Sequence, residues 1–310
     1  MQIGMIGLGK MGMNMVTRLL KGRHSVIVYD QSVETTKEAV RGRRGVRAAS
    51  SLVEMARLLK QPRVIWLMIP AGKPVDEAIM HLKELLENGD LVIDGGNSFY
   101  KDDIMHSQQL GERGIRYMDI GVSGGIWGLK EGYSLMAGGD KKDYKHIEPV
   151  LKTLAPKDGY LYCGPVGAGH FVKMVHNGIE YGLMAAYGEG FQILHTSPYA
   201  AGLDFEKVAH LWNHGSVVRS WLLELVEDVF KKDKDLSQVR GYVADSGEGR
   251  WTVEQAIELG VPAPVTALAL FERFRSRETD SFSDKLQSAL RNEFGGHAVL
   301  KDRKKSGGAR

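Results

Sequence analysis

A single cysteine, Cys163, stands among the 310 residues, so no internal disulfide can brace the fold and paired-thiol chemistry is excluded. One cysteine and ten scattered histidines also lack the ligand spacing of a structural zinc site, and no metal centre is expected. No apolar run approaches the roughly 18 to 20 residues that a membrane span needs. Charge of one sign is scarce as well. The 41 Lys and Arg against 38 Asp and Glu leave +3, too little and too dispersed to indicate nucleic acid or a membrane surface as a partner. An anionic small molecule stays open. The start Met1-Gln2-Ile3-Gly4 enters strand-like sequence without a charged leader or cleavage site, which with the lone cysteine predicts a cytoplasmic chain. With 43% apolar residues the chain can bury a full core and should divide into about two domains.

Short apolar runs alternate with helical patterns through the first half, the signature of parallel βαβ units. Strands are predicted over Gln2 to Ile6, Ser25 to Asp30, Val64 to Ile69, Leu91 to Asp94 and Arg116 to Val122. Amphipathic helices are predicted between them, among others over Met11 to Lys21 and Pro74 to Glu87. The β pattern ends near Tyr160 to Pro165, and from Gly169 onward nearly every segment reads as helix. The expected architecture is a Rossmann-type doubly wound α/β domain over 1–165 followed by an all-α domain over 166–310. The basic, Gly/Ser-bearing end, Lys301 to Arg310, reads as a mobile tail.

Gly7-Leu8-Gly9-Lys10-Met11-Gly12 follows the first strand and opens a helix, matching G-x-G-x-x-G in its proper context. Small residues there let the backbone approach a pyrophosphate, and the helix N-terminus offers it free N–H groups and a positive dipole end. Asp30, closing the second strand, can accept hydrogen bonds from ribose hydroxyls and would repel a 2′-phosphate, which favours NAD over NADP. Arg41, Arg43 and Arg44 argue the other way, as a possible 2′-phosphate clamp, or they are a solvated helix end.

In the run Gly169 to Tyr181, Lys173, His176, Asn177 and Glu180 fall at i, i+3, i+4 and i+7 and share one helical face. The other faces carry Phe171, Val172, Met174, Val175, Ile179, Leu183 and Met184, so the helix should be buried, with its polar stripe toward a cleft. A surface helix could show the same stripe. A Lys and a Glu two turns apart beside a nicotinamide suit acid/base chemistry at a carbinol. The lysine must be neutral to act as base and the glutamic acid protonated to act as acid; burial pushes both that way.

With these residues in view, the chain resembles the decarboxylating 6-phosphogluconate dehydrogenases, in a shorter form, and the resemblance covers almost the whole length. It rests on Gly7 to Gly12, Asp94-Gly95-Gly96-Asn97-Ser98, Gly121-Val122-Ser123-Gly124-Gly125, Lys173 to Tyr181, and Arg291-Asn292-Glu293-Phe294-Gly295-Gly296-His297. The Gly-rich motifs occur across the wider β-hydroxyacid dehydrogenase group; Lys-x-x-His-Asn-x-x-Glu-Tyr with Arg-x5-His is far more specific.

The resemblance implies that Lys173 takes the C3 hydroxyl proton during hydride transfer and that, after loss of CO2, Glu180 protonates the carbon that becomes C1 of ribulose 5-phosphate. It implies that Ser123, Gly124 and Gly125 hold the sugar-acid end, that Asn97, His176 and Asn177 bind hydroxyls, and that Asn97, Ile69, Pro70 and Ala71 also meet the cofactor. Tyr181, Arg273, Arg291 and His297 match the phosphate ligands, the last two supplied by a neighbouring subunit, which implies a homodimer or homotetramer with shared active sites. Arg suits a phosphate because its planar fork donates two parallel bonds. Two departures stand out. Asp30-Gln31-Ser32 replaces the Asn-Arg-Thr type sequence of NADP-using members. The phosphate-binding lysine of the long forms is missing from Asp245 to Trp251, where Glu248 and Arg250 stand. Two other readings remain: a β-hydroxyacid dehydrogenase for a small unphosphorylated acid, which leaves Glu180, Tyr181, Arg291 and His297 unexplained, and a non-catalytic nucleotide-binding protein, which leaves the intact Lys173 and Asn177 unexplained.

Overall fold

The computed structural model describes residues 1–300; the tail expected over 301–310 lies outside the described residues. The strands are β1 (Gln2–Ile6), β2 (Ser25–Tyr29), β3 (Val46–Ala48), β4 (Val64–Leu67), β5 (Leu91–Asp94), β6 (Arg116–Ser123), β7 (Ser134–Gly139) and β8 (Tyr160–Gly164). Helices α1 (Lys10–Lys21), α2 (Val33–Val40), α3 (Leu52–Leu58), α4 (Lys73–Leu85), α5 (Tyr100–Gly111), α6 (Gly128–Glu131) and α7 (Lys141–Leu154) lie between them. After β8 the described chain is helical: α8 (Ala168–Thr196), α9 (Phe205–Asn213), α10 (Trp221–Lys232), α11 (Glu248–Glu258), α12 (Pro264–Arg275) and α13 (Phe282–Gly295).

The strands form one sheet in the order β3-β2-β1-β4-β5-β6-β7-β8, parallel except where β7 runs against β6. The chain order reverses across β1, so β1 and β4 diverge at the edge where the fingerprint turn emerges. β4 and β5 are buried throughout, as strands covered on both faces must be, and so read as unbroken apolar runs. Alternate side chains serve two cores: Ile3, Met5, Trp66 and Ile93 on one face, Ile6, Ile65, Leu67 and Val92 on the other. Local chemistry fixes the helix starts. Ser32, Ser51 and Asp140 each accept a backbone N–H in the first turns of α2, α3 and α7.

Three strands were not among those predicted: β8, which falls where the β pattern was read as ending, and β3 and β7, where none was read. β3 has three residues, too few to show a period, and β7 ends in Gly138-Gly139, which carries little strand propensity. Their neighbours decide them: β3 extends the sheet beside β2, and β7 is paired along its length with β6.

The described chain forms two compact units, Met1–Tyr181 with Gly247–Thr266, and Gly182–Ser246 with the described residues from Ala267 onward. The second unit has its own core, in which Phe191, Leu223 and Phe230 are buried and the Phe191 ring lies 5.2 Å from that of Phe230, tilted against it. Among the described residues no helix is long and apolar enough to cross a membrane.

Candidate active site

At the C-terminal edge of β1 and β4 lies a cavity of about 940 Å³. Gly7, Gly9, Lys10, Met11, Gly12, Asp30, Ile69, Pro70, Ala71 and Asn97 all line it, and Leu8, also expected there, is instead buried in the core beneath. The glycines are a matter of space. A Cβ on Gly7, which has φ +92°, would overlap Met68 O, and one on Gly12 would overlap Gly7 O. A Cβ on Gly9 would meet nothing within 4 Å and would project into open space. α1 therefore starts with no side-chain cap and no acidic residue in its first turn, leaving free N–H groups at the cavity. A dinucleotide pyrophosphate fits such a cradle.

Asp30 is oriented by two backbone donors, Leu8 N to Oδ2 at 2.7 Å and Ser32 N to Oδ1 at 2.9 Å. The carboxylate thus ties the fingerprint turn to the end of β2. Arg41, Arg43 and Arg44 are not among the cavity's lining residues, and Arg43 reaches Met13 Sδ at 3.2 Å instead. Met68, Gln31, Glu77 and His81 also line the cavity and were not foreseen; the α4 pair carries no motif that a sequence could announce.

Val122 lines the same cavity, and the next residue, Ser123, opens the second cluster. Ser123 Oγ lies 3.3 Å from His176 Nε2, His176 Nδ1 lies 3.1 Å from Asn177 Oδ1, and the same Oδ1 accepts from Lys173 Nζ. His176 Nδ1 is 3.8 Å from Glu180 Oε2. The stripe of four therefore forms one connected set with Ser123. Gly124 and Gly125 continue from it with φ +128° and +52°, conformations that suit glycine and turn the backbone sharply after β6.

Lys173 is 6% exposed, and Asn177 is equally buried. Gly121 makes this possible: a Cβ there would overlap Cβ of Lys173. Burial pushes the Lys173 ammonium down from its ordinary value, against the opposing pull of Glu180 and of Glu248 on α11. The Glu180 side chain is 41% exposed, contrary to the expected burial, because it sits two turns further along α8. The expectation that α8 is buried on its apolar faces also fails. Val172, Val175, Ile179, Leu183 and Met184 are exposed in this chain, and it is the lysine edge of the polar stripe that packs against the sheet. Tyr181 is buried and faces Gly249.

Beneath this cluster lies a polar network that the sequence does not announce. Asp119 on β6 accepts from Gly167 N at 2.7 Å and His170 N at 2.8 Å, pinning the start of α8. His170 Nδ1 lies 2.7 Å from Asp103 Oδ2, and Asp103 Oδ1 accepts from Tyr117 OH at 2.8 Å. Asp94 accepts from Gly96 N at 2.9 Å and Ser98 Oγ at 2.6 Å, shaping the loop that carries Asn97. Burial alone disfavours a charged His170 ring, but Asp103, with Asp94 and Asp119, outweighs it and raises its pKa to about 10. Potential ligand atoms of Asp94, Asp103 and His170 lie within 4.8 Å of one another, yet all four carboxylate oxygens already accept protein hydrogen bonds.

The expected phosphate ligands beyond Tyr181 lie in the second unit. Arg273 donates to Ala244 O at 2.9 Å. Arg291 and His297 are exposed at the end of α13 and just past it, where Asn292 Nδ2 donates to His297 O at 2.9 Å.

A doubly wound sheet with an open fingerprint turn, followed by helices, the first of which packs a buried lysine against that sheet, defines a dinucleotide-binding α/β protein with a helical C-terminal region. Residues 2–164 match the family model of the NAD binding domain of 6-phosphogluconate dehydrogenase, and residues 169–306 match that of its C-terminal domain. The chain belongs to the 6-phosphogluconate dehydrogenase family. It is 43% identical over 303 residues to a Haloferax volcanii NAD(+)-dependent, decarboxylating 6-phosphogluconate dehydrogenase, covering 97% of this chain and 99% of that one. It is 39% identical over 287 residues to an NADP(+)-dependent, decarboxylating enzyme of Bacillus subtilis, covering 89% of this chain and 61% of that one. Among solved structures it resembles Plasmodium falciparum 6-phosphogluconate dehydrogenase, with a TM-score of 0.81 and 31% identity over 98% of this chain and 67% of that one.

Proposed function

We propose that this protein is a cytoplasmic, NAD-dependent 6-phosphogluconate dehydrogenase that oxidises and decarboxylates its substrate to ribulose 5-phosphate and CO2. The observation that carries the reading is Lys173: buried, pushed toward its neutral form, and bonded to Asn177 within a set that reaches Ser123. The cofactor is held by the Gly7 to Gly12 turn, by Asp30 at its ribose, and by Ile69, Pro70, Ala71 and Asn97. A nicotinamide cofactor bound there would supply the acceptor for the hydride from C3.

Lys173, neutral, removes the C3 hydroxyl proton as C3 becomes a carbonyl. The lysine, now protonated, donates to that carbonyl oxygen while the C1–C2 bond breaks. CO2 leaves, and the bond's electron pair is taken into an enediol. Glu180 then delivers a proton to the carbon that lost CO2 while Lys173 takes back the proton of the enediol hydroxyl, restoring the carbonyl of ribulose 5-phosphate. Its partial exposure lets it recover that proton from solvent. Ser123, Gly124 and Gly125 hold the carboxylate end, since backbone N–H groups of such a turn suit an anion. His176 and Asn177 hold hydroxyls, and Tyr181, Arg273, Arg291 and His297 hold the phosphate.

Two further parts of the reading have their own support. NAD is favoured because Asp30 lines the cavity and the three arginines do not. Self-association is favoured because α13 buries none of its own residues, while Phe282, Leu286, Leu290 and Phe294 form an exposed apolar stripe beside Arg291.

The test is reduction of NAD and NADP by the purified protein with 6-phosphogluconate, with gluconate and 3-hydroxyisobutyrate as controls. Faster NAD reduction, with the phosphorylated acid alone, is expected; activity confined to an unphosphorylated acid would move the protein to the wider hydroxyacid group. In the same assay Asp30→Ala should lower the ratio of NAD to NADP activity by about tenfold or more, the effect of roughly one lost hydrogen bond to a charged group. An unchanged ratio would remove Asp30 as its basis.

A further inference from the structure

His170 lies in the first turns of α8, three residues before Lys173, and its ring is fully buried. The residue is fixed twice. Its main chain is held by Asp119 from β6, and its side chain by Asp103 from α5. Asp119 holds the N–H groups of Gly167 and His170 from the sheet, and Asp103 holds the His170 ring from α5; with one anchor on each side of the turn, rotation of α8 about its own axis is opposed from two elements. Rotation is what Lys173 is sensitive to, because its Cβ packs against Gly121 without space for a methyl group. Asp94, beside the same pair, shapes the turn on either side of Asn97.

We propose that His170 is a positioning residue for Lys173: its buried pair with Asp103 fixes the rotation of α8, and with it the reach of the lysine amine toward the substrate. The inference rests on the role given to Lys173 above. The His170 ring touches neither Lys173 nor the cavity by any hydrogen bond, so its effect passes through the helix. Asn can place an N–H donor where Nδ1 stands, whereas Leu fills a similar volume with none.

Three variants, His170→Leu, His170→Asn and Asp103→Asn, separate positioning from stability. The first readout needs no substrate: trace acetylation of Lys173 from pH 7 to 11, followed by mass spectrometry, reports how readily that amine loses its proton. Glu180, Glu248 and His176, which face it, are unaltered. The second is kcat and KM with 6-phosphogluconate, together with NADH binding by fluorescence. His170→Leu should shift the acetylation curve and cut kcat about 100-fold while NADH affinity stays within about twofold, as expected when a reacting group is misplaced by an ångström. His170→Asn should recover about tenfold or more of that loss, with Asp103→Asn between them. An unchanged acetylation curve in all folded variants would overturn the proposal, as would a kcat loss that Asn does not rescue. If His170→Leu does not fold, the other two decide the matter. Should the parent protein not turn over 6-phosphogluconate at all, the proposed reaction fails, yet the acetylation curves still report on His170.

Discussion

At the scale of single residues, the proposed chemistry requires a neutral lysine, and the burial of Lys173 pushes it in that direction. Burial lowers the Lys173 pKa, so the neutral form gains as pH rises, and the acid limb of kcat/KM should rise through a pKa below 10.5. The same shift has a stability consequence of opposite sense. A folded pKa below the unfolded one opposes folding in full at pH values below both, and the penalty fades as pH climbs toward 10.5. Lys173→Met should thus lower turnover by about 10²- to 10⁴-fold with cofactor binding kept. Its Tm relative to the parent should be most favourable near pH 7 and less so near pH 10. Substantial remaining turnover, or a Tm difference independent of pH, would contradict this. The lysine and its stripe were legible because helical spacing puts them on one face. His170, Asp119 and Glu248 were not, because their importance comes from contacts with residues distant in sequence, such as Asp103 and Gly167.

At the scale of elements, the first strands and helices were readable because each carries its own period and its own boundary residues. β3 and β7 were not, since pairing with β2 and β6 creates them. α8 shows the limit most clearly. Its apolar residues predicted burial on most sides, whereas the helix seats its lysine edge on β6 and leaves Ile179 and Leu183 exposed. Gly121, with Gly138 and Gly169, lets α8 seat this closely. Gly121→Ala should force the helix from the sheet, lowering Tm at a cost of about 1 to 3 kcal/mol for overpacking. It should also reduce kcat by about 100-fold, since the lysine moves with the helix. Wild-type kcat in a folded Gly121→Ala protein, measured beside its melting curve, would mean that the seating does not govern the chemistry.

At the scale of the whole molecule, the proposed self-association rests on the exposed apolar stripe of α13. Phe282 is 80% and Phe294 76% exposed, the kind of apolar patch that marks an interaction surface. Leu290→Asp with Phe294→Asp should convert a larger species to the monomer in sedimentation velocity and lower turnover with it, because Arg291 and His297 flank the stripe. A parent protein that sediments as a monomer at full activity would exclude shared active sites. In the sequence only Arg291 and His297 pointed to a neighbouring subunit, through the resemblance; the four-residue spacing of Phe282, Leu286, Leu290 and Phe294 does not by itself say whether that face meets the same chain or another.

The claim that joins these scales is that one site both oxidises and decarboxylates. It is tested by supplying 6-phosphogluconate labelled with carbon-13 at C1 and following reduced nicotinamide and labelled CO2 together. One CO2 is expected for each reduced cofactor, with both rates lowered together by about 10²- to 10⁴-fold in Lys173→Met. Reduced cofactor without labelled CO2 would contradict it, leaving an ordinary hydroxyacid oxidation on the same fold.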